Sequence, residues 1–247
     1  STIAALTGIT TVANFRSLDV AYGGEGAPLV PPFHQWCFGA SGIERIVVNI
    51  GGIANISVLN GAAATVGTGY DCGPGNCLLD EWFQRHQSYA FDREGMWAAS
   101  GPVDQPLLRT LLAEQFFSLA APKSTGRELF NIAFIEQALK QVATSPPSPA
   151  SVQSTLAQLT VETIAQAIEC DATRIDSAVY VCGGGVRNVE LMRRLQKRLP
   201  ERQVLSTEAL GVAPDFVEAV AFAWLARQRV SNIAVSLTTS HTPSPLL

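Results

Sequence analysis

Apolar and polar positions change rhythm along this chain at its glycines. Ile46-Val47-Val48-Asn49-Ile50 is a β-branched run of the kind that fills a buried strand. Gly51-Gly52 bends it, and Ile53 to Leu59 resumes as a second strand. Asn60-Gly61 is a hairpin signal, which makes Ala62 to Val66 a third. Gly67 to Asn76 then reads as a Gly-rich loop. From about Cys77 to Gln87 the period becomes helical, with Leu78, Leu79, Trp82 and Phe83 on one face. Asp92 to Gly101 is a polar loop or short helix. Gln105 to Phe116 and Ile132 to Val142 read as helices. A Pro/Ser linker, Ser145 to Pro149, leads into a long amphipathic helix from Ser151 to Ile168. Ala178 to Cys182 is another buried strand, followed at once by Gly183-Gly184-Gly185 and a helix from Val189 to Leu199. Gln203 to Leu205 is a short strand. Pro214 stands near the first turn of a last helix that runs to about Gln228, a position where proline is tolerated. Ahead of all this, Ser1 to Leu6 reads as the end of a helix stopped by Gly8. Ile9 to Ala13 is a short β-prone run, and Asn14 to His34 a long irregular loop of the sort that often carries function. The polar tail from Ser231 is expected to end extended.

Strands separated by helices and glycine turns predict an α/β protein, and composition agrees. The chain has 247 residues, 47% of them apolar and only 15% charged, against about 25% charged in an average soluble protein. That balance supports a large core and argues against disorder. The net charge is −4 and no Lys/Arg cluster stands out, so a basic groove for nucleic acid is not expected. No apolar run approaches the ~20 residues of a membrane span. The five cysteines, Cys37, Cys72, Cys77, Cys170 and Cys182, are odd in number and lack C-x-x-C spacing. They read as free thiols of a reducing cytoplasm. His34, His86 and His241 are too scattered to suggest a metal site. The sequon Asn55-Ile56-Ser57 lies in a strand-like run and reads as coincidence.

Candidate chemistry gathers at three glycine loops: Gly51-Gly52, Gly73 to Gly75, and Gly183 to Gly185. Backbone N–H groups in such turns approach phosphate oxygens because no Cβ intervenes. Glycines that merely make turns are the plainer alternative. Neither a Walker-type phosphate loop, nor a clean dinucleotide fingerprint, nor a nucleophile elbow occurs. Asp71, between Gly69-Tyr70 and Cys72-Gly73-Pro74-Gly75-Asn76, is either a general base on a stiff loop or a carboxylate accepting local N–H bonds. Glu218 lies among apolar neighbours on the last helix, facing either solvent or a cleft. Arg16 and His34, in the first loop, suit an anionic or polyhydroxyl ligand or a structural hydrogen bond. Lys123 and Arg127 read as part of a solvated polar stretch.

Together the loops resemble the second half of the sugar kinase/actin/Hsp70 superfamily. Residues 47–56 are similar to its second phosphate hairpin and residues 179–188 to its adenosine loop. The likeness narrows with Asn14-Phe15-Arg16, Asp19-Val20-Ala21 and Gly23-Gly24-Glu25-Gly26-Ala27-Pro28-Leu29-Val30-Pro31. Asn49-Ile50-Gly51-Gly52-Ile53-Ala54-Asn55-Ile56, Asp71-Cys72-Gly73-Pro74-Gly75-Asn76 with Leu78-Leu79-Asp80, Pro122 to Glu128, and Pro214-Asp215-Phe216-Val217-Glu218-Ala219 extend it. In that order they resemble the anhydro-N-acetylmuramic acid kinase family. Asn14 and Cys72 depart from that family's usual Asp and Thr, and its opening Gly-Thr-Ser-x-Asp-Gly phosphate loop is not in this sequence.

The resemblance implies an actin-like (ribonuclease H-like) ATPase fold, with a mixed sheet flanked by helices and mainly the C-terminal lobe present. Residues 1–44 would be a remnant of the first lobe with a substrate loop, and residues 45–247 the C-terminal lobe. It implies an ATP- and Mg²⁺-dependent kinase of bacterial cell-wall recycling, cytoplasmic and homodimeric. Such an enzyme converts 1,6-anhydro-N-acetylmuramic acid to N-acetylmuramic acid 6-phosphate. By the same resemblance Asp71 is the general base. Arg16, His34 and Glu218 would meet the sugar. Gly51, Gly52, Asn55, Gly73, Gly75 and Asn76 would meet the phosphates, and Gly183, Gly184, Gly185 and Asn188 the adenosine side. Without the first phosphate loop the chain alone would lack half of an ATP site. A non-catalytic actin-like nucleotide-binding module, another sugar kinase of the superfamily, and a Rossmann-type binding protein are the alternatives.

Overall fold

A computed structural model describes residues 1–61, 68–142, 146–236 and 245–246. In chain order the helices are α1 (Thr2–Thr7), α2 (Ser17–Ala21), α3 (Pro31–Phe38), α4 (Cys77–His86), α5 (Met96–Ser100), α6 (Gln105–Leu112), α7 (Ile132–Val142), α8 (Pro149–Asp171), α9 (Val189–Arg198) and α10 (Val217–Val230). The strands are β1 (Arg45–Ile50), β2 (Ile53–Leu59), β3 (Gly69–Pro74), β4 (Val179–Cys182), β5 (Val204–Ser206), β6 (Val235–Ser236) and β7 (Pro245–Leu246).

The first five strands form one sheet in the order β3-β2-β1-β4-β5. β1, β2 and β3 make an antiparallel meander, and β4 and β5 join parallel on the other side of β1. This is the mixed α/β sheet of the actin-like expectation, with a helix layer on each face. Alternation along the strands divides the core. Ile46, Val48, Ile50, Ala54, Ile56, Val58, Val179 and Val181 point to the layer built around α8. Val47, Leu59 and Cys182 point the other way, onto α3 and α10. The Asn55 sequon is on the interior strand β2. All five cysteines are free.

Several elements depart from the sequence reading. The Gly67-to-Asn76 loop is largely strand β3, because pairing with β2 (Asn55 with Asp71, Ile56 with Tyr70) outweighs low strand propensity. The pairing slips between Ala54 and Asn55, so Asp71 to Gly73 spans two steps against one: a β-bulge with Cys72 as the extra residue. Ile9 to Ala13 forms no strand, having no neighbour to pair with. The loop from Asn14 to His34 holds α2 and the start of α3. α8 is longer than expected and is not amphipathic. Thr155, Thr160 and Thr163 are buried on it beside Leu156 and Ile164. Their hydroxyls donate to Ser151 O, Gly75 O and Thr160 O. The strand expected over Ala62 to Val66, and Ser145 of the linker, lie outside the described residues. Among the described residues no helix is long and apolar enough to cross a membrane.

Candidate active site

Strand register lays one row of side chains across the sheet. Asp71 on β3 pairs with Asn55 on β2, Asn55 with Asn49 on β1, and Asn49 with Cys182 on β4. Strands are about 4.8 Å apart, so the row spans about 14 Å. It runs along the α3/α10 face and ends at the glycine loop after β4.

Asp71 is 5% exposed. Its backbone N–H donates to Lys123 O (3.1 Å), which fastens the segment 122–128 along the outer edge of β3. That strap then holds the carboxylate. Ser124 Oγ donates to Asp71 Oδ2 at 2.9 Å and Thr125 N–H to the same oxygen at 3.1 Å. Oδ1 keeps no protein hydrogen bond among the described residues. Burial raises the Asp71 pKa, while the Thr125 and Ser124 hydrogen bonds and the Arg16 charge oppose that rise; the Glu128 charge adds to it. The donors come from 53 and 54 positions along the chain instead of from the local turn, and they leave one carboxylate oxygen tied and one free.

Arg16 reaches Asp71 electrostatically because its loop is folded inward. Arg16 Nη1 donates to Gly26 O at 2.5 Å, and Gly26 N–H donates to buried Asp19 Oδ2 at 2.8 Å. A Cβ at Gly24 would collide with the Asp19 carboxylate. His34 is placed differently from its expected contact with sugar. It is fully buried on α3, with Nδ1 2.9 Å from Ser57 Oγ and Nε2 unpartnered among the described residues. Burial lowers its pKa to about 3, so the ring is neutral and sits behind the row. Asn55 Oδ1, beside Asp71, is likewise buried without a partner among the described residues. Glu218 is exposed in the first turn of α10. It acts on Cys182, whose thiol is pushed up to about 12 by burial and then by Glu218. It therefore stands at the opposite end of the row from Asp71.

The turn Gly51-Gly52 is open on its outer side, and a Cβ at Gly52 would meet only Arg127 Nη2 at 3.9 Å and Cys77 Cβ at 4.0 Å. Its inner side is braced. Gly75 N–H donates to Gly52 O (2.9 Å), Asn76 N–H to Gly51 O (2.8 Å) and Cys77 N–H to Gly52 O (3.0 Å). Asn76 Nδ2 adds bonds to Ile50 O and Gly51 O, both 3.1 Å. The N–H groups of Gly75 and Asn76 are thus committed to the hairpin. Gly73 packs against Phe117 and Thr163. Gly75 and Asn76 thus brace the Gly51-Gly52 turn, and Gly73 lies in the packed interior beside it.

Gly183 has φ +79°, and a Cβ there would collide with Asn49 Oδ1, so glycine is required. Gly184 is exposed, Gly185 packs on Ile50, and Asn188 Oδ1 caps α9 by accepting from Leu191 N (3.0 Å). Gly184, Arg187 and Asn188 line a cleft of about 300 Å³ with Asn76, Asp80 and Phe91. Asp80, in the first turn of α4, has its pKa raised to about 6 by burial, against the pull of Arg127. An apolar cavity of about 580 Å³ adjoins the cleft, sharing Phe91 and Asp92 with it. Among the described residues no group of three or more His, Cys, Asp and Glu is placed to hold a metal ion.

The sequence reading missed Ser124, Thr125, Asn49, Asp80 and Arg127 as parts of this site. Pro122 to Glu128 was legible as a motif, but nothing local to it shows that it folds against β3.

Comparison with known proteins bears on what such a site does. The profile of a family described as anhydro-N-acetylmuramic acid kinase matches residues 1–243. Proteins of that name from Shewanella loihica and Pasteurella multocida are 51% and 49% identical to this chain, over 92% and 95% of its length. The matches take in 60% and 61% of those relatives, so the chain spans about three-fifths of their length. A solved structure of the activator of the 2-hydroxyisocaproyl-CoA dehydratase from Clostridium difficile, with bound ADPNP, superposes at TM-score 0.45 and 12% identity. It covers 85% of this chain and 70% of that one, a superposition too loose to carry a functional argument.

Proposed function

The chain belongs to the anhydro-N-acetylmuramic acid kinase family, and from that premise we propose that it forms the base-bearing, nucleotide-binding lobe of a hydrolytic sugar kinase. The substrates are 1,6-anhydro-N-acetylmuramic acid, ATP and water, and the products N-acetylmuramic acid 6-phosphate and ADP. The observation that carries this reading is Asp71 on β3, a buried carboxylate with Oδ1 free and Oδ2 fixed by the same strap that passes the open Gly51-Gly52 turn.

The anhydro bridge joins C1 to O6, so O6 has no proton and no free electron pair of alkoxide character until the bridge opens. Asp71 Oδ1 takes a proton from water as the water oxygen bonds to C1. The C1–O6 bond breaks and its electron pair goes to O6. O6 bonds to the γ-phosphorus, the bond from that phosphorus to the β,γ-bridging oxygen breaks, and ADP leaves with the pair. The proton on Asp71 passes to solvent. Burial suits the carboxylate to this work, because a raised pKa makes it a stronger base while it stays ionised near neutrality. Arg16 attracts the lactyl carboxylate or a sugar hydroxyl beside Asp71. Glu218 meets the far end of the ligand. His34 and Ser57 hold the floor between them without touching it.

The nucleotide phosphates lie along Gly51-Gly52, beside Asn55, and the adenosine in the cleft by Gly184 and Asn188. Mg²⁺ when bound neutralises phosphate charge. Asp80 and Asn76 fit it, since Mg²⁺ needs only one or two protein carboxylates beside phosphates and water. The same family reading carries a bacterial cytoplasmic setting, a part in peptidoglycan recycling, and a homodimer.

The test is mass spectrometry of the sugar product formed in ¹⁸O-labelled water with ATP and Mg²⁺. It is run on the chain as it stands and on a version extended by a lobe bearing the Gly-Thr-Ser-x-Asp-Gly loop. The expected product gains one phosphate and one labelled oxygen, and only the extended protein makes it. A phosphorylated sugar without label would replace the hydrolytic reaction by ordinary sugar phosphorylation. ATP binding without any product from either protein would replace the kinase by an actin-like binding module.

A further inference from the structure

The strap at residues 122–128 carries two cations with different fates. Lys123 is used by the fold: Nζ donates to Phe116 O (3.1 Å) and Phe117 O (3.2 Å) and lies 4.8 Å from the centre of the Phe116 ring. Arg127 is exposed and makes no side-chain hydrogen bond or ion pair among the described residues. It is not adrift, however. Its backbone carbonyl accepts from Asn131 Nδ2 at 3.0 Å, which fixes the strap's end. Its Nη2 stands 3.9 Å from where a Cβ would project from Gly52. Asp80 feels its charge. A guanidinium with unused donors thus overhangs the open side of the Gly51-Gly52 turn, whose inner side is braced. The residues two and three positions before it, Thr125 and Ser124, grip Asp71 Oδ2.

From this geometry we infer that Arg127 is a catalytic residue that binds the γ-phosphoryl group during its transfer, and that the strap couples it to the base at Asp71. This rests on the kinase reading above. The equatorial phosphoryl oxygens carry the charge in such a transfer, and a planar fork of N–H donors matches them. A lysine would supply charge without the fork. Gly52 leaves the space in which those oxygens and the guanidinium meet. The strap makes the two events neighbours: O6 is released where Asp71 activates water, and the phosphorus it attacks is held a few residues along the same segment.

The experiment compares wild type, Arg127→Met and Arg127→Lys. Calorimetry with the 247-residue chain measures affinity for ADP and for the non-hydrolysable ATP analogue AMP-PNP, both with Mg²⁺. Single-turnover phosphate transfer is measured on whichever form of the protein turns over. Arg127→Met should lose at least ~10-fold in AMP-PNP affinity with ADP affinity within ~2-fold, and ~10²-fold or more in transfer rate. Arg127→Lys should fall between. Equal losses for both nucleotides, or a lowered melting temperature, would make Arg127 structural and overturn the inference. So would unchanged binding and transfer, or a wild-type chain that binds neither nucleotide. A selective AMP-PNP loss in a protein that makes no phosphorylated muramic sugar would instead keep Arg127 on the γ-phosphate and discard the sugar-kinase reading.

Discussion

Asp71 shows how one side chain acquires a role from three segments. Its strand gives the position, the strap ties Oδ2, and the first loop brings Arg16. General bases contribute about 10²–10⁴ in rate. Asp71→Asn in a form that turns over should therefore lose at least ~10²-fold in kcat with ATP affinity kept; near-wild-type turnover would remove Asp71 from that role. The ionised form is the active one and burial raises its pKa, so kcat/KM should fall on the acid side at a pH above the ordinary aspartate range. Ser124 donates to the ionised carboxylate and thereby lowers that pKa. Ser124→Ala should move the acid limb to higher pH. A limb that stays put would show Ser124 to be filler. Asp71 stood out in the sequence as an acid in a stiff, glycine-rich context. Ser124 did not, because the bond that gives it meaning crosses 53 positions.

Between elements, a dense polar contact lies away from the cleft, where α9 meets α8 and α5. Arg194 is nearly buried. It donates to Glu190 Oε1 (2.6 Å), Ser154 O (2.7 Å), Ser154 Oγ (2.8 Å) and Ala98 O (3.3 Å). Arg193 makes a second pair with Glu190. Glu190→Gln would leave a buried guanidinium without its counter-charge, a loss of about 3 kcal/mol, to be read as a lower urea midpoint. The Arg193 hydrogen bond, opposed by burial and aided by Arg194, holds the Glu190 pKa down to about 2. A depressed folded-state pKa gives stability that is complete above the unfolded carboxylate pKa, near 4.3, and drains away as pH falls towards 2. Glu190→Gln should flatten the pH dependence of the urea midpoint in that window; an unchanged slope would show that other carboxylates dominate it. The elements misread from sequence share a cause. β3 takes its form from pairing with β2 and α8 from the layer packed around it, and local propensity records neither.

At the scale of the whole molecule, one sheet serves two cores. Ile46 and Val48 enter one and Val47 the other, so neither helix layer loosens without disturbing strands that anchor its opposite. Trp36 and Trp224 report on one side of the sheet, Trp82 and Trp97 on the other. Unfolding by urea should therefore follow a single transition that coincides by tryptophan fluorescence and far-ultraviolet circular dichroism. Two separated transitions would show the layers to be independent. The division between sequence and structure follows the range of the interactions. Sequence alone determined β1, β2 and β4, the helices α4, α7 and α9, the glycine turn after β4, and the family, because each is written in short runs of neighbouring residues. Tertiary structure decided which of the Gly, Asn and Arg residues face the cleft. It turned Gly75 and Asn76 into braces, sent His34 behind the floor, and set Arg127 over Gly52, since strand pairing and the strap join residues that the chain keeps far apart.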